Sequence, residues 1–420
     1  MEKNYVAFKD SGISEKVETL VIGAGQAGIA MSEHLGKRDL SHLVVERHRI
    51  AERWRSERWD SLVANGPAWH DRFPNMKFDE LDPDSFPPKE RMAEYFVAYA
   101  KQIDAPIRCG IEVKALQRND DNFSFSAETS EGIIEAKHVV VATGPFQRPV
   151  VPPIVPAESG IFQIHSNAYC NPQLLPKGAV LVVGSGASGS QIADELQRAG
   201  RKVYLCVGPH NKPPRRYRGH DYCWWLGVLG KWDVKTPNPG TEHITVAVSG
   251  ARGGHTVDFR QLAADGMTLL GMAGTFKDGT LQIAPDLVKN IRIGDADYRA
   301  VLDGADAYAK NEGLDLPEEP MARAILPDPA CMTDPILQLN FAEAGIGSIV
   351  WATGYAFDFS WMKLNAFDEK GRPKHERGIS EIPGLYFLGL PWLSSRSSSF
   401  IWGVWRDAEY LASHIAGNAI

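Results

Sequence analysis

No run in this chain approaches the roughly 18 consecutive apolar residues that a membrane-spanning helix needs. Positive charge is not in excess either. Lys and Arg number 45 against 52 Asp and Glu, a net charge of −7, and both nucleic acid and anionic membrane call for a basic face. The stretch from Met1 to Glu18 is mixed and charged, without the apolar core of a secretory signal, so a cytoplasmic location is expected. Cysteine is sparse. Cys109, Cys170, Cys206, Cys223 and Cys331 form no Cys-x-x-Cys pair and no His/Cys spacing suited to zinc, so ordinary thiols and no metal site are expected. The same scarcity excludes enzymes that pass electrons to a dithiol through two neighbouring thiols. No segment is of low complexity, and 44% hydrophobic with 23% charged residues is the composition of a globular protein. At 420 residues the chain exceeds one ordinary core and suits two or three domains.

What is present is one grammar used twice. A short apolar run, Leu20 to Ile22, reads as a buried parallel strand and leads into Gly23-x-Gly25-x-x-Gly28. Helical spacing follows (Ile29, Ala30, Leu35), then a second strand, Leu43 to Glu46. The pattern returns at Val180 to Val183, Gly184-x-Gly186-x-x-Gly189, a helix, and a strand at Lys202 to Val207. Each copy has the strand–turn–helix–strand context of a βαβ unit. In such a unit the first glycine permits the tight turn and the second lets backbone approach a pyrophosphate. The third lets helix and strand pack closely. Each copy is also followed by a strand ending in a matching tetrad, Val139-Val-Val-Ala-Thr-Gly144 and Ile349-Val-Trp-Ala-Thr-Gly354. A further strand is read at Gly384 to Gly389 and a closing helix at Arg406 to Ile415. The chain is therefore predicted to be α/β, with two Rossmann-like dinucleotide-binding domains, the second inserted in the first. The proline-rich crossing Pro149 to Pro156 marks the exit from the first domain, and the return is placed between Leu326 and Pro335. That gives a first domain of residues 1–150 and 331–420 and a second of 151–330, with an irregular insertion at about 209–320.

The residue after each second strand separates the ligands. Glu46 ends its strand where a carboxylate can accept from both ribose hydroxyls of an adenosine. Around Cys206 to Pro209 there is no acid, and Lys212, Arg215, Arg216 and Arg218 follow. A ribose 2′-phosphate welcomes such charges and is repelled by a carboxylate. The first copy thus suits FAD and the second NADPH. A solvated basic loop is the plainer alternative for the arginines.

Together the two glycine motifs, Ala142-Thr-Gly144 and Ala352-Thr-Gly-Tyr355 resemble the flavin-containing monooxygenase superfamily, the single-chain class B flavoprotein monooxygenases. Within it the chain is similar to bacterial flavoproteins labelled as oxidoreductases involved in potassium transport. The matching stretches include Trp54 to Leu62, Ile164 to Tyr169, Pro214 to Gly219 and Gly389 to Trp392. The fingerprint between the nucleotide motifs keeps its second half, His165-x-x-x-Tyr169. Its first half departs: Gly160 lies a residue too far from the histidine, and Ser159 is not at a matching aromatic position. The resemblance implies a cofactor pair of FAD and NADPH, with O2 and a small organic molecule as the other partners. It implies that NADPH reduces FAD, that O2 forms a C4a-(hydro)peroxyflavin, and that one oxygen atom passes to the substrate. Without oxygenation, the same sites would serve a nicotinamide oxidase, an electron-transfer reductase or a redox sensor.

On the same ground Asn65 lies near the flavin, where a neutral amide holds oxygen without protonating it; an Asx-turn before Gly66-Pro67 is its alternative. Trp54, Arg58 and Trp59 are expected close by. Thr143, Gly144, Thr353, Gly354, Ser188 and Gly389 are expected to line the cofactors. His165 is open between a catalytic role and that of a hinge or packing residue. Trp392 to Gly403 combines aromatics, Arg396 and a run of serines, and is expected to open the last helix with its N-terminus toward the flavin. Tyr217, Tyr222, Trp224, Trp225 and Trp232 read as docking aromatics, or as a route for an apolar substrate.

Overall fold

Leu20, Val21 and Ile22 are buried at the end of β1 (Ser14–Ile22), which pairs in parallel with β2 (His42–Glu46) in the register Ile22↔Val45. The computed structural model describes residues 14–119, 124–235 and 245–417. On its other side β1 pairs in parallel with β6 (Gly132–Val141), Leu20 opposite Val139. β3 (Ile107–Cys109) lies beyond β2, and the strand Leu385–Phe387 lies beyond β6, again in parallel. β4 (Val113–Arg118) and β5 (Phe125–Thr129) form a hairpin that joins β6 antiparallel. A parallel sheet buried on both faces needs continuous apolar strands, which is what Val139, Val140, Val44, Leu385 and Phe387 supply. Helix α1 (Gln26–Gly36) covers this sheet together with the last helix, Ile401–Ile415, which starts earlier than the expected Arg406.

The second unit is built the same way on its own sheet. Its five strands, all parallel, run in the order Thr268–Leu270, β10 (Val203–Cys206), β9 (Ala179–Val183), Ile346–Trp351, β8 (Phe162–His165). Its core joins Val180, Val182, Leu205 and Val350 to Ile192 and Leu196 of the helix after β9. The chain enters this unit through β7 (Arg148–Pro149) and leaves beside it, since Tyr355–Ala356 pairs antiparallel with β7.

Two boundaries differ from those read off the sequence. The return to the first unit comes after Ala356, not near residue 331. Ile346–Trp351 is an inner strand of the second sheet, bonded to β9 on one side and β8 on the other, so it cannot leave that sheet. Arg53–Ala93 also packs in the second unit, which otherwise holds Arg148–Ala356. Trp59 and Leu62 bury their side chains in the same core as Val180, with Trp54 against it. This segment contains α2 (Glu52–Ser56) at its start and the first turns of α3 (Lys89–Gln102) at its end.

The stretch expected to be irregular at about 209–320, of which 236–244 lie outside the described residues, contains regular elements among the residues described. It carries the helices Tyr222–Val228 and Phe259–Ala264, the edge strand Thr268–Leu270 and the 25-residue helix Leu287–Asn311. That long helix buries Asn290, Gly294 and Asp295 beside Leu287, Ile291 and Leu302, so its inward face mixes polar with apolar residues. Among the described residues no helix is long and apolar enough to cross a membrane.

Candidate functional site

Gly23 turns the chain out of β1 at φ +107°, where a Cβ would lie 2.7 Å from the carbonyl oxygen of Ala142. At Gly28 a Cβ would come within 1.8 Å of the Gly23 carbonyl oxygen, so only glycine allows α1 to start so close to the strand. A Cβ at Gly25 would meet nothing within 4 Å, and the N-terminus of α1 has no side-chain cap. Open space in front of unsatisfied main-chain N–H groups is what a pyrophosphate occupies. Glu46 stands beside it. One of its carboxylate oxygens accepts from the Ala24 N–H at 2.9 Å and the other from the His48 N–H at 3.0 Å, which fixes the carboxylate while leaving lone pairs over. These residues fit the adenosine diphosphate end of FAD.

Around this cradle the first unit gathers the other expected residues. Gln147 donates to Thr143 Oγ1 at 3.1 Å and to the Gly144 carbonyl at 2.9 Å, bracing the first tetrad. Gly389, at φ +79°, brings the end of its strand against α1, where a Cβ would lie 2.8 Å from Ala27 Cβ. Gln26 donates to the Ser399 carbonyl at 2.7 Å and so ties the serine-rich segment to the start of α1. The last helix begins only at Ile401, so the stretch from Trp392 is a turn ahead of the helix, braced by the Ser394 hydroxyl donating to Asp407 at 2.5 Å. Burial pushes the Asp407 carboxyl up, against the pull of Ser394 and Ser398.

The second unit repeats this construction. Gly184 turns at φ +104° with its absent Cβ 2.5 Å from the Ala352 carbonyl oxygen, and at Gly189 a Cβ would lie 1.9 Å from the Gly184 oxygen. α4 (Ala187–Arg198) follows Gly186 without a side-chain cap, and Ser188 is half-buried in its first turn. The Ser185 hydroxyl in the turn is buried without a partner. The difference lies at the acid. Gly23 N–H donates to Val45 and Gly184 N–H to Cys206, so Val207, fully buried, takes the place of Glu46. Thr353 donates to the Val150 carbonyl, and Gly354 sits at φ +78°.

The basic run behaves otherwise than its charge suggests. Lys212 is buried between Asp258 and Asp295, at 3.3 and 3.1 Å. Arg215 is 2% exposed and pairs with Asp221, and Arg218 pairs with Asp306 at 3.0 Å. Buried guanidinium and ammonium groups need such carboxylates, so three of the four charges are occupied inside the unit. Arg216 alone of the run is exposed, with one bond to the Asp84 carbonyl at 3.3 Å.

Arg215 serves a different group. It donates to the main-chain oxygen of Asn65 at 2.6 Å. Asp71 accepts from the Gly66 N–H at 3.0 Å, and Gln191 of α4 donates to Asn65 Oδ1 at 2.9 Å. Asn65 is thus an exposed amide on a turn fixed by three side chains. His165 is 5% exposed and both its ring nitrogens are engaged: Nε2–H donates to the Gly354 carbonyl at 3.0 Å, and Nδ1 accepts from the Asn167 N–H at 3.2 Å. Burial lowers its pKa, against the bonds to Asn167 and Gly354, and the ring ties the second tetrad to the Asn167 turn. Tyr169 is buried too, donating to Glu195 at 2.7 Å. Trp59, at 5% exposure, lies in the core of the second unit, and the half-buried Trp54 packs against that core. Arg58 is half-buried and contacts Tyr355.

The aromatic cluster docks elements. Tyr217 and Trp225 pack on Leu302 and Ala305 of the long helix, Trp224 stacks on His220, and Trp232 on His70. Gln191, Asp71 and Asp221 are the site-forming residues that sequence reasoning missed. No spacing signals them, since Gln191 and Asn65 are 126 residues apart.

The family described as pyridine nucleotide-disulphide oxidoreductase matches residues 20–226. A Geobacillus kaustophilus protein described as "Uncharacterized oxidoreductase CzcO-like" is 34% identical over 403 residues, 95% of this chain and 98% of that protein. A probable indole-3-pyruvate monooxygenase of Arabidopsis thaliana is 25% identical over 379 residues, 88% of this chain and 84% of its own. Among solved structures, the flavin-containing monooxygenase of Stenotrophomonas maltophilia superposes with a TM-score of 0.66 at 18% identity, covering 96% of this chain and 99% of that one. A bacillithiol disulfide reductase of Bacillus cereus gives 0.62 at 17% identity, with 96% and 100% covered. At such identities both likenesses concern the fold.

Proposed function

Since the chain belongs to the family of CzcO-like oxidoreductases, we propose that it is an NADPH- and FAD-dependent monooxygenase of the flavin-containing monooxygenase-like superfamily, acting on a small organic molecule with O2. The observation that carries this reading is the pair of matching glycine cradles with a carboxylate at only one of them. FAD is assigned to the first unit, on Gly23, Gly25, Gly28, Glu46, Thr143, Gly144 and Gly389. The nicotinamide dinucleotide is assigned to the second, on Gly184, Gly186, Ser188, Gly189, Thr353 and Gly354. Val207 favours NADPH over NADH, because no carboxylate there repels a 2′-phosphate, and Arg216 is the guanidinium of the basic run open to that group. When bound, the two cofactors supply hydride transfer and the activation of O2.

The chain's residues do the rest. Main-chain N–H groups of the two helix starts hold the phosphates, and Glu46 holds a ribose by its hydroxyls. Asn65 contributes a neutral amide, which stabilises a charged oxygen by hydrogen bonding and has no proton to give up near neutral pH. His165 positions the Thr353-Gly354 turn. Stopped-flow mixing tests the reading: enzyme reduced anaerobically with NADPH meets O2. The expected outcome is a near-ultraviolet transient distinct from oxidised and reduced flavin, with oxygenated product formed from a panel of amines, sulfides and ketones. Direct return to oxidised flavin with stoichiometric peroxide under every condition would make it an oxidase instead.

A further inference from the structure

An exposed primary amide ordinarily turns over at little cost, exchanging its N–H donors for its carbonyl acceptor. Asn65 is exposed, but its inner end has a partner that removes this freedom. Gln191, only 8% exposed on α4, donates from Nε2 to the Val248 main-chain oxygen at 2.7 Å and to Asn65 Oδ1 at 2.9 Å. A main-chain carbonyl can only accept. Val248 therefore fixes the orientation of the Gln191 amide, and both Nε2 hydrogens are then committed. Asn65 must meet the second of them with its oxygen, which turns its own NH2 outward.

The backbone beneath is held as firmly. Arg215 donates to the Asn65 oxygen, itself pinned by Asp221 and by a contact of 3.7 Å with Cys223 Sγ. Asp71 accepts from Gly66. Gly250 presses on the far side, where a Cβ would lie 2.1 Å from the Ala64 carbonyl oxygen. The turn cannot follow the amide round, so among the described residues Gln191 decides the amide's polarity.

We infer that Gln191 is a positioning residue which sets the Asn65 side chain with its NH2 to the open face of the turn, so that the site offers a donor and not an acceptor to an electron-rich oxygen. The functional weight of this polarity rests on the role given to Asn65 above. The orientation itself does not. Gln191 lies in the helix that begins at the second cradle, so the segment that takes the dinucleotide phosphates also aims the amide.

Gln191→Glu is the informative variant, because a carboxylate accepts only. It repels the Val248 oxygen and draws the Asn65 NH2 inward, reversing the exposed atom. Gln191→Met keeps the packing volume and removes the donors, leaving Asn65 free to turn. In deuterated, 15N-labelled protein as purified, the Asn65 side-chain NH2 signal is assigned by its loss in Asn65→Asp. Its hydrogens are expected to exchange freely with water in the parent and to be protected in Gln191→Glu. After anaerobic reduction with NADPH and mixing with O2, flavin should return to its oxidised spectrum about tenfold faster in Gln191→Glu, the loss of about one net hydrogen bond. Gln191→Met should fall between. Adding Asn65→Ala to Gln191→Glu should have no further effect beyond Asn65→Ala alone. Unchanged NH2 exchange in Gln191→Glu overturns the inference. So do equal reoxidation rates in the Met and Glu variants accompanied by a lowered unfolding temperature, which would mark packing alone. If exchange reverses as expected while Asn65→Ala reoxidises like the parent, the positioning stands and the oxygen-holding role of Asn65 is what fails.

Discussion

Glu46 and Val207 occupy the same place in two copies of one turn, where one copy has a carboxylate accepting from main-chain N–H groups and the other a buried valine. The third glycines are the other residues on which both cradles depend. An added methyl at Gly28 or Gly189 meets a carbonyl oxygen inside 2 Å, a distance that only movement of the turn relieves. Gly28→Ala is therefore expected to purify without flavin. Gly189→Ala should keep its flavin and bind NADP+ at least about tenfold more weakly, a cost of about 1.4 kcal/mol. Absorbance of the purified variants and calorimetric titration check this, and the reverse pattern would exchange the two cofactor assignments. His165 shows the same dependence on one side chain, its ring bonded both to the Gly354 carbonyl and to the Asn167 N–H.

Among the elements, the helix Leu287–Asn311 sets a buried ion cluster on a face that also buries Leu287, Ile291 and Leu302. Asp295, 3% exposed, accepts from Arg260 at 3.0 and 2.9 Å and from Lys212 at 3.1 Å, and Arg260 reaches on to Asp328 at 2.9 Å. Arg260 and Asp295 hold each other's pKa values away from neutrality despite burial. Asp295→Asn leaves two buried cations short of a carboxylate and is expected to destabilise the second unit by about 3–5 kcal/mol. Urea unfolding followed by tryptophan fluorescence measures it. A loss below about 1 kcal/mol would show that apolar packing, not the ion cluster, holds this helix.

For the molecule as a whole, buried imidazoles set the response to acid. Burial drives the pKa of His34 down to about 4, with Lys37 and Arg38 acting the same way and Glu33 opposing them. Burial likewise lowers His138, His165, His210 and His375. In the unfolded chain these rings titrate near 6.5, so on acidification the unfolded state takes the proton first. The contribution of these rings should be full above about pH 6.5 and fall toward pH 4, where His34 alone accounts for about 3 kcal/mol. His70 works in the opposite sense: against the effect of burial, Cys223 and Asp71 raise it to about 10. Its contribution is complete below about 6.5 and is lost as the pH rises through about 10. Urea midpoints measured from pH 4 to pH 10 check both limbs, and His34→Gln should flatten the acid one.

The amino-acid order alone determined the two strand–turn–helix units, their glycines, Glu46 and the absence of an acid in the second copy. These are local: each follows from residues close together in the chain, whose spacing fixes turn, strand face and helix start. The α/β class and the interleaving of one unit within the other were legible for the same reason. Tertiary structure decided the rest. Trp59 and Leu62 joined the second core because burial there removes them from water, and Ile346–Trp351 stayed in the second sheet because both its edges are bonded. Arg215 looked like a phosphate ligand and became the anchor of Asn65, since a buried guanidinium takes whatever carboxylate and carbonyl the fold delivers. The aim of the Asn65 amide depends on a glutamine 126 residues away, and only three-dimensional packing brings such a partner within hydrogen-bonding distance.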